Sequence, residues 1–399
     1  MRRGQVRTSF AFWRSQSYVE ALVGQNSDVE TQFLKAVTAL RRSFGHARRR
    51  IDQHRYITVP RQHAARELAD YSTSVTAEHP GAIEARGKIA AFVHWNVGKD
   101  IDPSTARMIE ALRDGGYAVL LVSNSPLSDT QKSWLAPRCW RLLERDNVGF
   151  DFGAWKDALH YLYKHDVALD RLILVNDSVF FSDRGLDALV EDLDGTADVI
   201  SAFENWGEGY HMQSFALSFS GHVAKSQPFR DFWASYLPVS NRIHAIESGE
   251  KLLSRVALKA AESSEVIYSN ARLYHALLTR NDPQDSLINL PMHWRDYFRS
   301  ATHKREDDSE WVANKIIDVM NATSPIHAGA YYFPKYLNCP LYKNDLVYRG
   351  RFQFWEIEAW LPEVMSDEIG RSYLTRLRAK GDPSALSPLD RRLYNIGVK

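Results

Sequence analysis

The sequence predicts an α/β protein built on a mixed sheet flanked by helices. Three observations carry that prediction. Short apolar runs alternate with segments of helical period, the pattern of strand-helix-strand units. The runs end in polar tripeptides, as strands do where they meet a ligand crevice. Finally, 44% hydrophobic and 25% charged residues among 399 leave ample material for a core and exclude a largely disordered chain.

Taken in order, Ile89 to Trp95 reads as a buried strand closing on His94-Trp95-Asn96. Pro103 to Arg113 reads as a helix, with Asp102 at the capping position, Pro103 in the first turn and Gly115-Gly116 as the stop. Tyr117 to Val122 is a second strand, ending at Ser123-Asn124-Ser125. Trp155, Ala158, Leu159 and Leu162 share a face, so Gly153 to Tyr163 is helical. Leu172 to Val175 is a third strand, ending at Asn176-Asp177-Ser178. Together these make a parallel, Rossmann-like half. Further strands are expected over Asp198 to Phe203 and Met212 to Ser220, and helices over Pro228 to Tyr236, Ile246 to Ala260 and Glu356 to Lys380.

Charge is unevenly placed. Met1 to Arg61 carries twelve Lys and Arg against four acids, +8 in a chain of net +1. Phe33, Leu34, Val37, Leu40 and Phe44 recur there at helical spacing. Two readings stand: a helical extension with a solvated basic face, or a docking surface for anionic lipid headgroups or a lipid diphosphate. The expected organisation is a basic helical extension over 1–87, an α/β domain over 88–350, and a helical segment and tail over 351–399. The near-neutral total gives no reason to expect a nucleic-acid partner. Cys139 and Cys339 are the only cysteines, so neither a disulfide framework nor a zinc site is expected, and a reducing cytoplasm is. No apolar run approaches the roughly 18 residues of a membrane span, and Arg2-Arg3 is not followed by the hydrophobic stretch of an export signal.

Ligand chemistry is expected beyond the carboxyl ends of the strands, at His94, Asn124 and Asn176 to Ser178. The stretch Arg145 to Lys156 lies before a helix and carries Asn147, Gly149, Asp151 and Gly153. Glycines allow close approach to a ligand, and a helix N-terminus suits a diphosphate. A tight loop with a local ion pair explains the same residues. Asp151-Phe152-Gly153 also spells a kinase tripeptide, but the glycine loop, strand lysine and His-Arg-Asp a kinase needs are missing. Asp177 at a strand end can hold Mg²⁺ or Mn²⁺ while phosphate and water fill the other positions; alternatively it caps a turn. Glu247 and Glu250 open a helix, where acids favour the dipole or serve as a general base.

Arg145-x-Asn147-x-Gly149-x-Asp151-Phe152-Gly153-Ala154-x-Lys156, followed by Leu172 to Ser178, resembles the rhamnan synthesis protein F family. His211-x-Gln213-Ser214-Phe215, Phe232-Trp233, Glu250-x-x-Leu253-Ser254, Asn321-x-Thr323 and Pro340-Leu341-x-Lys343 extend the likeness from about Lys88 to Arg349. The resemblance implies a glycosyltransferase of GT-A-like fold, working in bacterial cell-surface polysaccharide (O-antigen-type) assembly with dTDP-L-rhamnose as donor. It implies Asp177 as the metal and diphosphate residue, Arg145, Asn147, Gly149 and Asp151 beside the nucleotide and sugar, Gln213 facing sugar or acceptor, and Glu250 or Glu247 as base. The acceptor implied is a growing or lipid-linked glycan at the inner membrane face. A single Asp stands where many such enzymes have two, so a non-catalytic sugar- or nucleotide-binding scaffold is the alternative, and a transferase for a different donor is another.

Overall fold

A computed structural model describes residues 73–389, apart from 97, 99, 208, 281–286, 302–308 and 382–387. The basic segment Met1–Arg61, with its expected helix and lipid contact, lies outside the described residues.

An eight-stranded mixed sheet organises the described chain. Its strands are β1 (Val75–Pro80), β2 (Lys88–His94), β3 (Ala118–Ser123), β4 (Arg141–Arg145), β5 (Arg171–Asn176), β7 (Val199–Ser201), β10 (Ala216–Ser220) and β11 (Ser264–Val266). They lie in the order β1-β4-β3-β2-β5-β10-β7-β11. β4, β3, β2 and β5 are mutually parallel, whereas β1 and β10 run antiparallel on either side of them. Side chains alternate across the parallel strands. Ala90, Phe92, Val119, Leu121, Ile173 and Val175 enter one core, while Ile89, Ala91, Val93, Leu120, Leu172 and Leu174 enter the other. Both faces are therefore covered, and the strands read as unbroken apolar runs.

The helices that cover them are α1 (Pro103–Asp114), α2 (Asp129–Leu135), α3 (Phe150–Lys164), α4 (Leu186–Leu193), α5 (Gln227–Ser235), α6 (Lys251–Ala260), α7 (Asn270–Arg280), α8 (Met292–Ala301), α9 (Ser309–Ala322), α10 (Tyr332–Leu337), α11 (Phe354–Val364) and α12 (Asp367–Lys380). Asp102 caps α1 as expected, accepting from the Ser104 and Thr105 amides.

The expected fold class is observed: a mixed sheet between helices, with a helical C-terminal segment. Four details differ from the sequence reading. β4 is a strand the reading lacks; its Arg141, Glu144 and Arg145 break the apolar run that marks a buried strand. α3 begins at Phe150 rather than Gly153. The strand expected over Met212 to Ser220 is divided: β9 (His211–Met212) pairs with β8 (Glu204–Asn205), and only β10 joins the main sheet. The boundaries drawn at 87 and 350 also fall within one packed body. β1 is a sheet edge, and Phe352, Ile357, Trp360, Tyr373 and Leu377 share the core of Phe92 and Val175. Among the described residues no helix is long and apolar enough to cross a membrane.

Candidate active site

The carboxyl ends of β2, β3 and β5 converge with the N-terminus of α3. Because β10 is antiparallel to β5, with Ala216 opposite Val175, the residues before β10 arrive at the same end. A short ladder between β6 (Val179–Phe181) and β12 (Leu341–Lys343) sets Lys343 opposite Val179, just past the β5 turn. A cluster of charged and polar side chains results, drawn from distant parts of the chain.

Asp177 sits at its rim. Its Oδ2 accepts from the Trp95 amide at 2.8 Å and lies 3.0 Å from His94 Nδ1. The side chain is 12% exposed, so it is held but open on one side. His94 is fully buried, and its Nε2 has no protein partner among the described residues. Asn176 braces the turn. Its Oδ1 accepts from the Ser178 amide and hydroxyl, and its Nδ2 donates to Asp151 at 2.9 Å. Asn344 and Arg376 donate to the Asp177 carbonyl, fastening the turn from the C-terminal region.

Asp151 is the second carboxylate. Burial, and then the negative charge of Asp177, push its carboxyl up to about 7, with Lys343 and Arg145 acting in the opposite direction. A carboxyl whose ionisation a neighbouring carboxylate opposes is suited to share a cation with it. Among the described residues no group of three or more His, Cys, Asp or Glu forms a cage. The donor set fits a hard divalent ion that takes one or two carboxylates and fills its other positions with phosphate and water. The backbone leading to Asp151 is unusual: Gly149 (φ 74°) and Phe150 (φ 55°) are both left-handed. A β-carbon on Gly149 would lie 2.5 Å from Pro238, so only glycine fits. Phe150 has no such excuse, and strain of this kind gathers at functional sites.

Glu250 ends a π-helical turn, Ala245–Glu250, that leads into α6. Its Oε2 accepts from the Ser214 amide (2.8 Å) and hydroxyl (2.7 Å), and its Oε1 lies 3.3 Å from His211 Nε2. Burial favours the neutral acid, but the His211 and Ser214 bonds outweigh it and hold Glu250 below the usual range. The His211 imidazolium is disfavoured by burial yet raised overall by Glu250. Glu247, by contrast, pairs with Lys251 at 2.6 Å on a more exposed surface. Lys343 lies 4.5 Å over the Phe215 ring. Burial lowers its ammonium, which the charges of Asp345, Glu250 and Asp151 partly restore.

The remaining expected residues divide. Asn147 is exposed at the α3 entrance. Gln213 is buried beside Ser214, 6% exposed. Arg145, Lys156, Asn124 and Gly153 face the protein. Arg145 Nε donates to Asp157 at 2.6 Å, Nη1 to Asn124 and Nη2 to the Val148 carbonyl at 2.7 Å. Lys156 donates to the Trp233, Ala234 and Tyr236 carbonyls, closing the end of α5. Gly153 lies within the first turn of α3, against the Val148 carbonyl, rather than in a loop.

Sequence reasoning did not single out Lys343, His211 or Ser214 as site residues, although each stands in a motif quoted above. It also missed Trp206 and Tyr210. These rings lie 4.7 Å apart, edge to face, and are 48% and 38% exposed on the hairpin that carries His211. A Trp-x-x-x-Tyr spacing broken by two glycines was the available signal.

Residues 119–286 match the family described as rhamnan synthesis protein F. The resemblance read from the motifs is thus borne out over a span that holds Asp151, Asp177 and Glu250 but not Lys343. An uncharacterised protein of Sinorhizobium fredii is 26% identical over 152 residues, covering 37% of this chain and 40% of its own length. The virulence protein VirA of Vibrio anguillarum is 30% identical over 158 residues, covering 37% of this chain and 48% of its own. The chain spans under half the length of these curated relatives. Among solved structures, the glycosyltransferase GlyE of Streptococcus pneumoniae aligns over 75% of this chain and 66% of its own, at 13% identity and a TM-score of 0.29. A mannosyltransferase of Pyrobaculum calidifontis, in complex with GDP-Man and Mn²⁺, aligns over 82% of this chain and 95% of its own, at 10% identity and a TM-score of 0.28.

Proposed function

We propose that this chain is a glycosyltransferase that moves a sugar from a nucleotide-sugar donor to a cell-surface polysaccharide or lipid-linked glycan. One observation carries the reading: a partly open carboxylate, Asp177, at the carboxyl end of a central parallel strand, with a second carboxylate, Asp151, beside it. The family match over residues 119–286 points the same way.

On this reading Asp177, with Asp151, holds Mg²⁺ or Mn²⁺, which when bound neutralises the departing nucleoside diphosphate. Lys343 adds a positive charge on the same side. Of the two glutamates, Glu250 is the better base. It is kept ionised by Ser214 and His211, whereas Glu247 is spent on Lys251. Glu250, with His211 behind it, takes the proton of the attacking hydroxyl, and attack from the face opposite the diphosphate inverts the anomeric carbon. Trp206 and Tyr210 offer exposed ring faces to the acceptor beside His211. L-Rhamnose from dTDP-L-rhamnose is the donor we propose from the family resemblance. The +8 charge of Met1–Arg61 supports peripheral contact with an anionic membrane face that carries the acceptor.

The test is a thermal-shift panel of nucleotide sugars with and without Mn²⁺. At least one should stabilise the protein in a Mn²⁺-dependent way, and Asp177→Ala should abolish the shift. Stabilisation by none of them, or an equal shift in Asp177→Ala, overturns the reading.

A further inference from the structure

The aromatic hairpin beside the proposed base is fixed more firmly than two surface rings need. β8 and β9 pair Glu204 with Met212 and Asn205 with His211, which sets Trp206 and Tyr210 side by side at the turn. Asn205 Oδ1 accepts from the Gly207 amide at 2.9 Å, and His211 Nδ1 lies 2.9 Å from the Gly209 carbonyl. A carbonyl can only accept, so Nδ1 carries a hydrogen. The Met212 amide donates to Ser254 Oγ at 3.0 Å, and His211 Nε2 lies 3.3 Å from Glu250 Oε1. The turn that carries the rings is thus tied to Glu250 itself.

The rings are also held by their polar ends. Glu204 is buried, and it accepts from the Asn270 amide at 3.2 Å and from the Trp206 side chain. The indole N–H is the only donor that side chain has, so this edge turns in to Glu204 while the ring stays half in solvent. Burial, and then the Glu204 charge, push the Tyr210 hydroxyl up to about 12, so this end too lies inward, within reach of the same carboxylate. Among the described residues each ring has only the other as an aromatic partner. Their planes meet at 61°, a corner with one ring as floor and the other as wall.

The charge of the hairpin says what such a corner suits. Glu204 to Met212 contains two glutamates and no Lys or Arg, and its one histidine is engaged with Gly209 and Glu250. It offers little to a phosphate and lacks the basic face of a lipid-binding element. A neutral pyranose fits. Its hydroxyls lie round the rim, and one face carries a patch of C–H groups that packs on the negative face of an aromatic ring. Rings already held in place lose little freedom on binding.

We propose that Trp206 and Tyr210 form an acceptor subsite that grips the sugar end of the glycan by an apolar pyranose face, and that Glu204 is a positioning residue that holds the indole. This subsite rests on the glycosyltransferase reading and deepens it: the acceptor is recognised here by its sugars, whether or not a lipid carries them, so a lipid-free oligosaccharide suffices.

Titration calorimetry on the full chain tests it with the α-linked trisaccharides of L-rhamnose, D-mannose and D-glucose, each alone and with Mn²⁺ and UDP, GDP or dTDP present. At least one should bind the wild type. Trp206→Ala and Tyr210→Ala should each weaken it about tenfold, while the Mn²⁺-dependent thermal shift with nucleotide sugars is kept. Glu204→Gln should weaken it severalfold, and should have no further effect once Trp206→Phe has removed the indole N–H. No trisaccharide bound, or binding unchanged in Trp206→Ala, overturns the subsite. An equal Glu204→Gln effect with and without the N–H overturns the positioning role. If Glu204→Gln does not fold, the two ring variants decide. A nucleotide-sugar shift without trisaccharide binding sinks this inference alone, whereas trisaccharide binding without any nucleotide-sugar shift sinks the transferase reading and leaves a glycan-binding site.

Discussion

The stretch Arg145 to Lys156 and the turn Asn176 to Ser178 are both rich in polar groups, yet they spend them in opposite directions. Arg145 and Lys156 turn inward, one to a buried carboxylate and two oxygen acceptors, the other to the last carbonyls of α5. Asp177 stays at the rim, held by one amide and one imidazole and open on its remaining side. The difference is one of reach. A long cation with several donors finds unpaired carbonyls and acids several ångströms away, and burying it unpaired would be costly. A short carboxylate at a strand end meets only what the turn brings to it. The cations of the first segment thus brace the surrounding backbone, while Asp177 is left partly open to solvent.

The sharpest way to break that comparison is at Arg145. Its pairing with Asp157 is fully buried on both sides. Arg145→Met takes away the buried guanidinium that Asp157 pairs with and should cost about 3–5 kcal/mol in urea unfolding. Asp177→Asn keeps an acceptor for the Trp95 amide and should change stability by less than about 1 kcal/mol while removing Mn²⁺-dependent nucleotide-sugar binding. If Arg145→Met folds normally and loses ligand instead, the division of labour is wrong. Lys156→Met comes next in size. It strips charge-assisted bonds from the carbonyls at the end of α5 and should cost about 1–3 kcal/mol, again with Mn²⁺ affinity retained.

Asp151 is the exception within the first segment, and pH exposes it. In the folded chain its carboxyl keeps a proton up to about pH 7; in the unfolded chain it loses that proton near about pH 4. The folded state therefore binds more protons between those values. The Asp151 contribution to stability falls as pH rises through this window and is flat above it. Asp151→Asn should remove that slope in unfolding curves taken from pH 4.5 to 8. A divalent cation must displace the same proton, so Mn²⁺ affinity should climb about tenfold per pH unit until about pH 7. A pH-independent affinity would detach Asp151 from the metal.

Much of the architecture was written locally. Apolar runs gave β2, β3 and β5 almost to the residue, and Asp102-Pro103 gave the start of α1. β4 escaped because Arg141, Glu144 and Arg145 interrupt its apolar pattern. The strand end carrying Asp177 was equally readable, since a polar tripeptide after four apolar residues is a local signal. The inward turn of Arg145 and Lys156 was not, because their partners Asp157, Val148, Trp233 and Tyr236 are chosen by packing. The place of Lys343 near Asp177 was out of reach for a further reason. Lys343 reaches it through the β6–β12 pairing, and a three-residue strand such as Leu341–Lys343 leaves no periodicity to read.

The smallest predicted effect tests whether the entrance to α3 is shaped for Asp151. Phe150 holds φ at 55° and is 37% exposed, so neither its ring packing nor its backbone preference explains its conformation. A left-handed L-residue costs about 1–2 kcal/mol, and glycine recovers that while losing about 0.5–1 kcal/mol to chain entropy. Phe150→Gly should therefore gain up to about 1.5 kcal/mol in urea unfolding. If the strain serves to aim the next side chain, the same variant should bind Mn²⁺ severalfold more weakly, since Asp151 would then sample other directions. A gain in stability with unchanged Mn²⁺ affinity would mean that the left-handed pair merely turns the chain from β4 into α3. A loss in both would mean that the ring carries contacts worth more than the strain. Only the opposed result, tighter fold and weaker metal, ties the backbone of the first segment to the acids at the rim.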